Sequence, residues 1–333
     1  MVREPHPFAR FIAILGRGKT KTRSLTVDES ETAMRMLLGG EVLPEQIGAF
    51  LMLLRVKEES PEEIAGFVRA VRASLKVPRV SVDVDWPSYA GKRRQLPWFL
   101  LAALVLARSG RRILMHGVAG HTEGRVYTRD ALVHLGLPVA HDLDDAARQI
   151  ERAGFAYLPL ERMSPRLANL FELKSILGLR SPVHTLARLL NPLEAACSVQ
   201  AVFHPGYLAI HRDAALLLGQ KHMAVFRGEG GEVERRPNKP CEVVTLQDGV
   251  VHEETWPPTI PDPRLAADEN MDLGRLGALW RGEITDTSAE AAVTGTLAIV
   301  LRALGDAPDA ERAHAQAESL WQGRDRGRLL VAA

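Results

Sequence analysis

Over roughly the first eighty residues, apolar positions recur at helical spacing. Phe8 to Leu15 is an amphipathic turn or two, followed by a basic segment of Arg17, Lys19, Lys21 and Arg23. Thr26 precedes Asp28, Glu29 and Glu31, the pattern of an N-cap with an acidic first turn. That helix runs through Ala33, Met36 and Leu37 and stops at Gly39-Gly40. Pro44-Glu45-Gln46 opens a second helix, with Phe50, Leu51, Leu53 and Leu54 on its buried side. Ser60-Pro61-Glu62-Glu63 opens a third, a cap followed by proline and acids, and it carries Ile64, Phe67, Val68 and Val71 inward. Short helices without a strand pattern predict a small helical domain.

From Val80 the period changes. Val82-Asp83-Val84 alternates like a strand, a glycine-containing loop follows, and an apolar helix starts at Pro97. Arg112 to Gly117 reads as strand into turn, and Asp130 to Leu135 as helix ending at Gly136. Met223 to Phe226 is a buried strand ending in Arg227-Gly228. Pro240 to Glu254 forms a hairpin about Gln247-Asp248-Gly249, and Thr285 to Ala289 enters a final helical region. Alternating strands and helices predict an α/β domain with a central, mostly parallel sheet, whose ligands sit beyond the carboxyl ends of the strands. Arg162 to Leu190 interrupts the alternation with helical texture. The expected division is a helical domain over 1–78, rejoined by 162–186, and an α/β domain over 79–161 and 187–333.

Composition narrows the class only a little. Apolar residues make up 46% of the 333, enough for a substantial core, and the formal net charge of +1 gives no hint of a partner. Two cysteines, Cys197 and Cys241, without paired spacing fit a reducing, cytoplasmic setting. The longest apolar run, Trp98 to Ala107 between Arg94 and Arg108, is too short to span a bilayer, so no membrane partner is expected. His116, His121, His184, His204, His211 and His222 are scattered without Glu or Cys at ligand spacing, which argues against zinc.

Several segments resemble one family. The run from Leu25 to Arg72, "ARLLNP" at 187–192, "GYLAIHRDAALLLGQKHMAVFRGEGGEVE" from Gly206 and "KPCEVVTLQDGVVHEETWPP" from Lys239 resemble the anthranilate phosphoribosyltransferase and pyrimidine-nucleoside phosphorylase group, over nearly the whole chain. The resemblance implies a helical domain and an α/β domain with a cleft between them, and homodimers formed through the helical domain. It also implies a site for phosphoribosyl pyrophosphate at Gly91, His116, Gly117 and Asn191. Where that group has a glycine-rich "GTGGD" loop, this chain has Pro87-Ser88-Tyr89-Ala90-Gly91-Lys92-Arg93-Arg94-Gln95, and its "KHGNR" is here Met115-His116-Gly117-Val118-Ala119-Gly120. Lys174 takes the place of the arginine that holds the anthranilate carboxylate, and Glu232-Val233-Glu234 that of the Asp-Glu pair that holds magnesium. The combination "PSYAGKRRQ", "MHGV", "HTLARL" and "GEGGEV" looks most like the divergent TrpD-type subfamily exemplified by YbiB, dimeric nucleic-acid binders that keep the transferase fold without its activity.

Two function classes follow, with a pure protein-binding scaffold as a third. In the preferred one, Lys92, Arg93 and Arg94 at a helix start, with Lys174, Arg180, Arg188, Arg235 and Arg236, line a basic cleft for the phosphates of DNA or RNA. Arg17, Lys19, Lys21, Arg23 and Lys239 extend it, and Tyr89 and Trp98 are candidates for base stacking. No cofactor is needed, no catalytic residue is assigned, and Glu229, Glu232 and Glu234 are salt-bridged surface acids. In the alternative, a transferase uses phosphoribosyl pyrophosphate with an acceptor other than anthranilate, and Glu232 and Glu234 bind magnesium.

Overall fold

The computed structural model describes residues 4–18, 20–118, 120, 122–261, 265, 267–268 and 270–330. Lys19, Ala119 and His121 lie outside the described residues.

The chain opens with helices α1 (Ala9–Gly16), α2 (Val27–Gly39), α3 (Pro44–Lys57) and α4 (Pro61–Ser74). Their ends are set by local chemistry. Thr26 and Glu29 form a reciprocal capping box on α2, as do Ser60 and Glu63 on α4, and α2 stops at left-handed Gly40. The buried Glu63 carboxylate accepts from the Leu25 and Ser60 amides and from the Lys57 ammonium, so the charge is fully partnered. Helices α2 and α4 touch backbone to backbone at Gly66, where an added Cβ would stand 2.2 Å from the Val27 carbonyl.

The remaining elements follow in chain order: β1 (Val84–Ser88), α5 (Phe99–Arg108), β2 (Ile113–Gly117), α6 (Thr128–His134), α7 (Leu143–Ala153) and β3 (Phe155–Pro159). Short helices α8 (Leu160–Met163), α9 (Pro165–Glu172), α10 (Lys174–Leu177) and α11 (Val183–Leu186) come next, then β4 (Cys197–Val202), α12 (Tyr207–Leu217) and β5 (His222–Arg227). The hairpin β6 (Cys241–Gln247) and β7 (Val250–Trp256) precedes α13 (Gly274–Arg281), α14 (Thr287–Leu304) and α15 (Ala310–Gln322). Among the described residues the strands form one seven-stranded sheet in the order β3-β2-β1-β4-β5-β6-β7. The first five are mutually parallel, and the hairpin adds two antiparallel strands at one edge.

The strand expected at Val82 to Val84 begins at Val84 and runs on through Pro87 and Ser88. Proline is tolerated there because β1 pairs with β4 only at Val84 and Asp85, so Pro87 lies beyond that ladder. One face of the sheet shares a continuous core with α1–α4 and the segment α8–α11. Arg166 and Arg72 fasten that segment and its following turn to the bundle by donating to the carbonyls of Leu38, Leu189 and Leu190. The other face buries α5, α14 and α15. Helix α14 has the length and hydropathy of a membrane span, and 67% of it is buried in this second core.

Candidate active site

The carboxyl ends of β1, β2, β4 and β5 and the loops leaving them face the bundle, the position where open α/β sheets bind ligands. A cleft of about 150 Å³ opens there. Its walls come from the end of α3 (Arg55, Glu59), the α10–α11 segment (Arg180, Ser181, His184, Thr185, Arg188), the β4 exit (Phe203, His204), α12 (Tyr207, His211) and the glycines after β5 (Gly230, Gly231).

Its charge is unevenly compensated. Arg55 donates to the Tyr207 hydroxyl at 3.1 Å. Arg188 donates to the His184 carbonyl, and burial, partly offset by Glu232, brings its pKa down to about 10. Arg180 is solvent-exposed and, among the described residues, forms no hydrogen bond or ion pair. Partial desolvation by the surrounding cleft and the nearby Arg125 lower its pKa, even though the residue as a whole is open to solvent. The Lys174 ammonium donates to Thr122 at 2.9 Å, and burial together with Arg180 and Arg125 pulls its pKa down. Arg180 and Arg188 thus form no ion pair among the described residues, although Glu59 lines the same cleft and Glu232 lies near Arg188, and an anion would stabilise the two guanidinium groups. In the same cleft, the Thr185 hydroxyl donates to Glu59 Oε1 at 2.6 Å, while buried Glu59 Oε2 has no hydrogen-bond partner among the described residues.

Beneath the cleft a buried polar chain crosses the sheet. The Tyr89 hydroxyl meets His116 Nδ1 at 2.7 Å, and His116 Nε2 meets Asp85 at 3.0 Å. Ser198 donates to Asp85 at 3.1 Å, Gln200 to Ser198 at 3.1 Å, and His211 Nδ1 pairs with Gln200 at 2.7 Å. Burial drives the His211 pKa down to about 3, so it is neutral and donates from Nδ1. His116, expected near a phosphate, is spent in this chain. Gly117 serves packing: a Cβ on it would stand 2.0 Å from the Ser88 carbonyl.

The loop after β1 differs most from expectation. Lys92 is 2% exposed and ion-paired with Glu234, which also accepts from the Phe99 amide at 2.8 Å where α5 begins. It is not offered to a ligand. The amides of Ala90 and Gly91 both donate to Glu232 Oε1, at 2.6 Å each. Arg125 holds the carbonyls of the same two residues, at 2.9 and 3.1 Å. Glu232 and Glu234, read as surface acids, are each 1% exposed. Burial raises both pKa values, against the opposing hydrogen bonds and the neighbouring Arg188 and Lys92.

The other expected cations do not share one groove. Arg235 is fully buried, bonded to His314 and the Pro257 carbonyl and lying over Trp256, because the turn before β6 tucks it against α14 and α15. Arg93 is exposed, and Arg94 and Arg236 border a separate depression with Lys239 that shares no residue with the cleft. Arg23 is paired with Glu29 at 2.7 Å. Tyr89 and Trp98 are buried and unavailable to bases. Asn191 lies at the amino end of β4, across the sheet from the cleft, where it bridges Ala195 and Gln220 and fixes a turn at φ 35°. Only Arg180 and Arg188 of the expected set line the cleft, with Lys174 and Gly91 nearby. Arg55, Glu59, Arg125 and His211 were missed. Arg125 had a weak signal, standing just beyond the "MHGVAG" turn; the others had none locally.

Comparisons with known proteins fit this geometry. A model of the glycosyl transferase helical bundle domain matches residues 10–75, and one of the glycosyl transferase a/b domain matches residues 99–261. The anthranilate phosphoribosyltransferase of Polynucleobacter necessarius is 31% identical over 235 residues, 69% of each chain. That of Pyrobaculum arsenaticum is 28% identical over 297 residues, covering 86% of this chain and 87% of its own. The crystal structure of anthranilate phosphoribosyltransferase (TrpD) from Thermus thermophilus superposes with a TM-score of 0.78 at 25% identity, over 95% of this chain and 94% of that one. These relatives correct the expectation of a nucleic-acid binder with DNA or RNA as partner: the matches are to transferases named for a small acceptor, and the cations meant for a polymer are buried or dispersed. The chain belongs to glycosyl transferase family 3, the family of the anthranilate phosphoribosyltransferases.

Proposed function

We propose that this chain is a cytoplasmic pentosyltransferase that takes a phosphorylated pentose of the phosphoribosyl type in the cleft and passes the sugar to an acceptor other than anthranilate. The observation that carries this reading is Arg180, an arginine without a hydrogen-bond or ion-pair partner among the described residues, at the mouth of a cleft with Lys174, Arg125 and Arg188 close by. A guanidinium offers a fork of donors to phosphate oxygens, and several in one cleft hold the sugar at a fixed angle.

The acceptor side follows from two residues. Lys174 stands where the resemblance places an arginine for the anthranilate carboxylate, and its ammonium is turned to Thr122. A lysine lacks the bidentate fork, which disfavours a planar carboxylate there. Glu59 Oε2, buried and without a hydrogen-bond partner among the described residues, suits an acceptor that presents an N–H or O–H. In the transfer, the acceptor lone pair bonds to the anomeric carbon and the leaving group departs with the electrons of the broken bond. The acceptor proton passes to Glu59.

Magnesium, which the resemblance implies, finds no fit on this chain's acidic loop. Glu234 is committed to Lys92 and the Phe99 amide, and Glu232 Oε1 to two loop amides. Among the described residues, no three His, Cys, Asp or Glu gather as a metal site.

The test is turnover. The full chain is incubated with phosphoribosyl pyrophosphate or ribose 1-phosphate and a panel of amine, hydroxyl and nucleobase acceptors, anthranilate included, and phosphate or pyrophosphate release is measured. Release with a non-anthranilate acceptor, lost in Arg180→Ala and Glu59→Gln, supports the reading. Release with anthranilate alone, or with none, overturns it.

A further inference from the structure

The Ala90 and Gly91 amides point at one oxygen, 2.6 Å from each, in the geometry that converging backbone N–H groups offer a phosphate. That oxygen belongs to Glu232 of the same chain. We infer that Glu232 is a specificity-determining residue: its carboxylate stands in for a ligand phosphate on the loop, so the cleft selects a pentose with a single phosphate group, held by arginine side chains, over a pyrophosphate donor. This narrows the substrate class of the cleft described above and rests on that reading.

Independent contacts close the loop to a second anion. Both carbonyls beside the two amides are taken by Arg125, and the Lys92 ammonium is neutralised by Glu234. The backbone of Lys92 is bridged in both directions to Val126 at 2.8 Å. The amides of Ala90, Gly91 and Lys92 are thus all engaged, and these positions have no main-chain donor left for a diphosphate. A diphosphate arriving here would also meet a like charge, which costs far more in a buried site than in water.

The chain delivering Glu232 is shaped for the task. Gly228 is required where the loop folds back, since a Cβ there would lie 1.8 Å from the Glu232 carbonyl. Gly230 and Gly231 take φ of 65° and 87°, a left-handed pair that returns the chain to the β1 exit. Glu232 Oε2 is buried without a hydrogen-bond partner among the described residues, and the neighbouring Ser88 hydroxyl, 2.7 Å from Thr128, helps to hold the Glu232 pKa down. The side chain is therefore fixed by the loop amides more than by its other surroundings.

The experiment titrates inorganic phosphate and inorganic pyrophosphate into the full wild-type chain, Glu232→Ala and Arg180→Ala by calorimetry, following the Ala90 and Gly91 amide resonances in parallel. In the wild type, pyrophosphate should bind no more tightly than phosphate and leave both amides unshifted. In Glu232→Ala, pyrophosphate affinity should rise at least about tenfold, the scale of charge-assisted hydrogen bonds, with both amides shifting. Amide shifts on adding pyrophosphate to the wild type, or a folded Glu232→Ala with no gain, overturn the inference. If Glu232→Ala does not fold, Glu232→Gln keeps the shape without the charge: a rise in pyrophosphate affinity supports the inference and an unchanged affinity overturns it. Arg180→Ala separates the two readings, because it reports on the cleft alone. Phosphate binding unaffected by Arg180→Ala sinks the cleft, whereas a missing gain in Glu232→Ala sinks the plugged loop.

Discussion

The Lys92 ammonium meets the Glu234 carboxylate with both side chains only 2% exposed, although 142 positions separate them in the chain. A pair this deep is held by mutual dependence: removing one partner strands the other charge out of water. Lys92→Met should therefore lower unfolding free energy by about 3–5 kcal/mol, read from the urea midpoint. Adding Glu234→Gln, which leaves an acceptor for the Phe99 amide, should recover part of that loss. A double variant no better than the single would mean the charge pair is not the source of the cost.

Gly117 makes a separate prediction. It was read as part of a phosphate site, but a side chain there would run into the Ser88 carbonyl at 2.0 Å, with β1 and β2 locked in register from Val84 to Ser88. Gly117→Ala should destabilise the fold by at least about 1–3 kcal/mol, the usual range for overpacking. Thermal unfolding beside the wild type measures it, and an unchanged midpoint would show that the strands can part at no cost.

His211 sets a pH dependence. Its pKa is 6.5 when unfolded and about 3 when buried, so between these values the unfolded chain binds the extra proton. Stability from neutral His211 is thus complete above pH 6.5 and is lost as pH falls toward about 3. The difference in stability between wild type and His211→Gln should change over that window by up to about 1.4 kcal/mol per pH unit. A difference that stays flat from pH 7 to pH 4 would place His211 in water.

Local signals carried the helical bundle and the hairpin. The Thr26–Glu29 and Ser60–Glu63 boxes use neighbours three residues apart, and Asp248-Gly249, at φ of 50° and 79°, makes a two-residue turn that its sequence announces. Strands β3 and β4 went unread: β3 is a short apolar run beside helical segments, while β4 does alternate, Cys197-Ser198-Val199-Gln200-Ala201, but all six of its residues are buried, its polar ones included. The site was far less legible. Lys92-Arg93-Arg94 looks like one basic cluster in the sequence, yet the fold buries the first and exposes the other two. Glu232 and Gly91 lie 141 positions apart, so no local pattern could reveal that a carboxylate fills the loop. Family motifs located the cleft, whereas which charges face it was decided by partners distant in sequence.

The most direct check on the cleft is a calorimetric titration of the full chain with ribose 5-phosphate, wild type beside Arg180→Ala. Saturable binding should appear in the wild type and weaken by about tenfold or more in the variant, as loss of a charge-assisted phosphate contact requires. Equal affinity in the two proteins, or no binding in the wild type, would contradict a phosphorylated pentose held by Arg180.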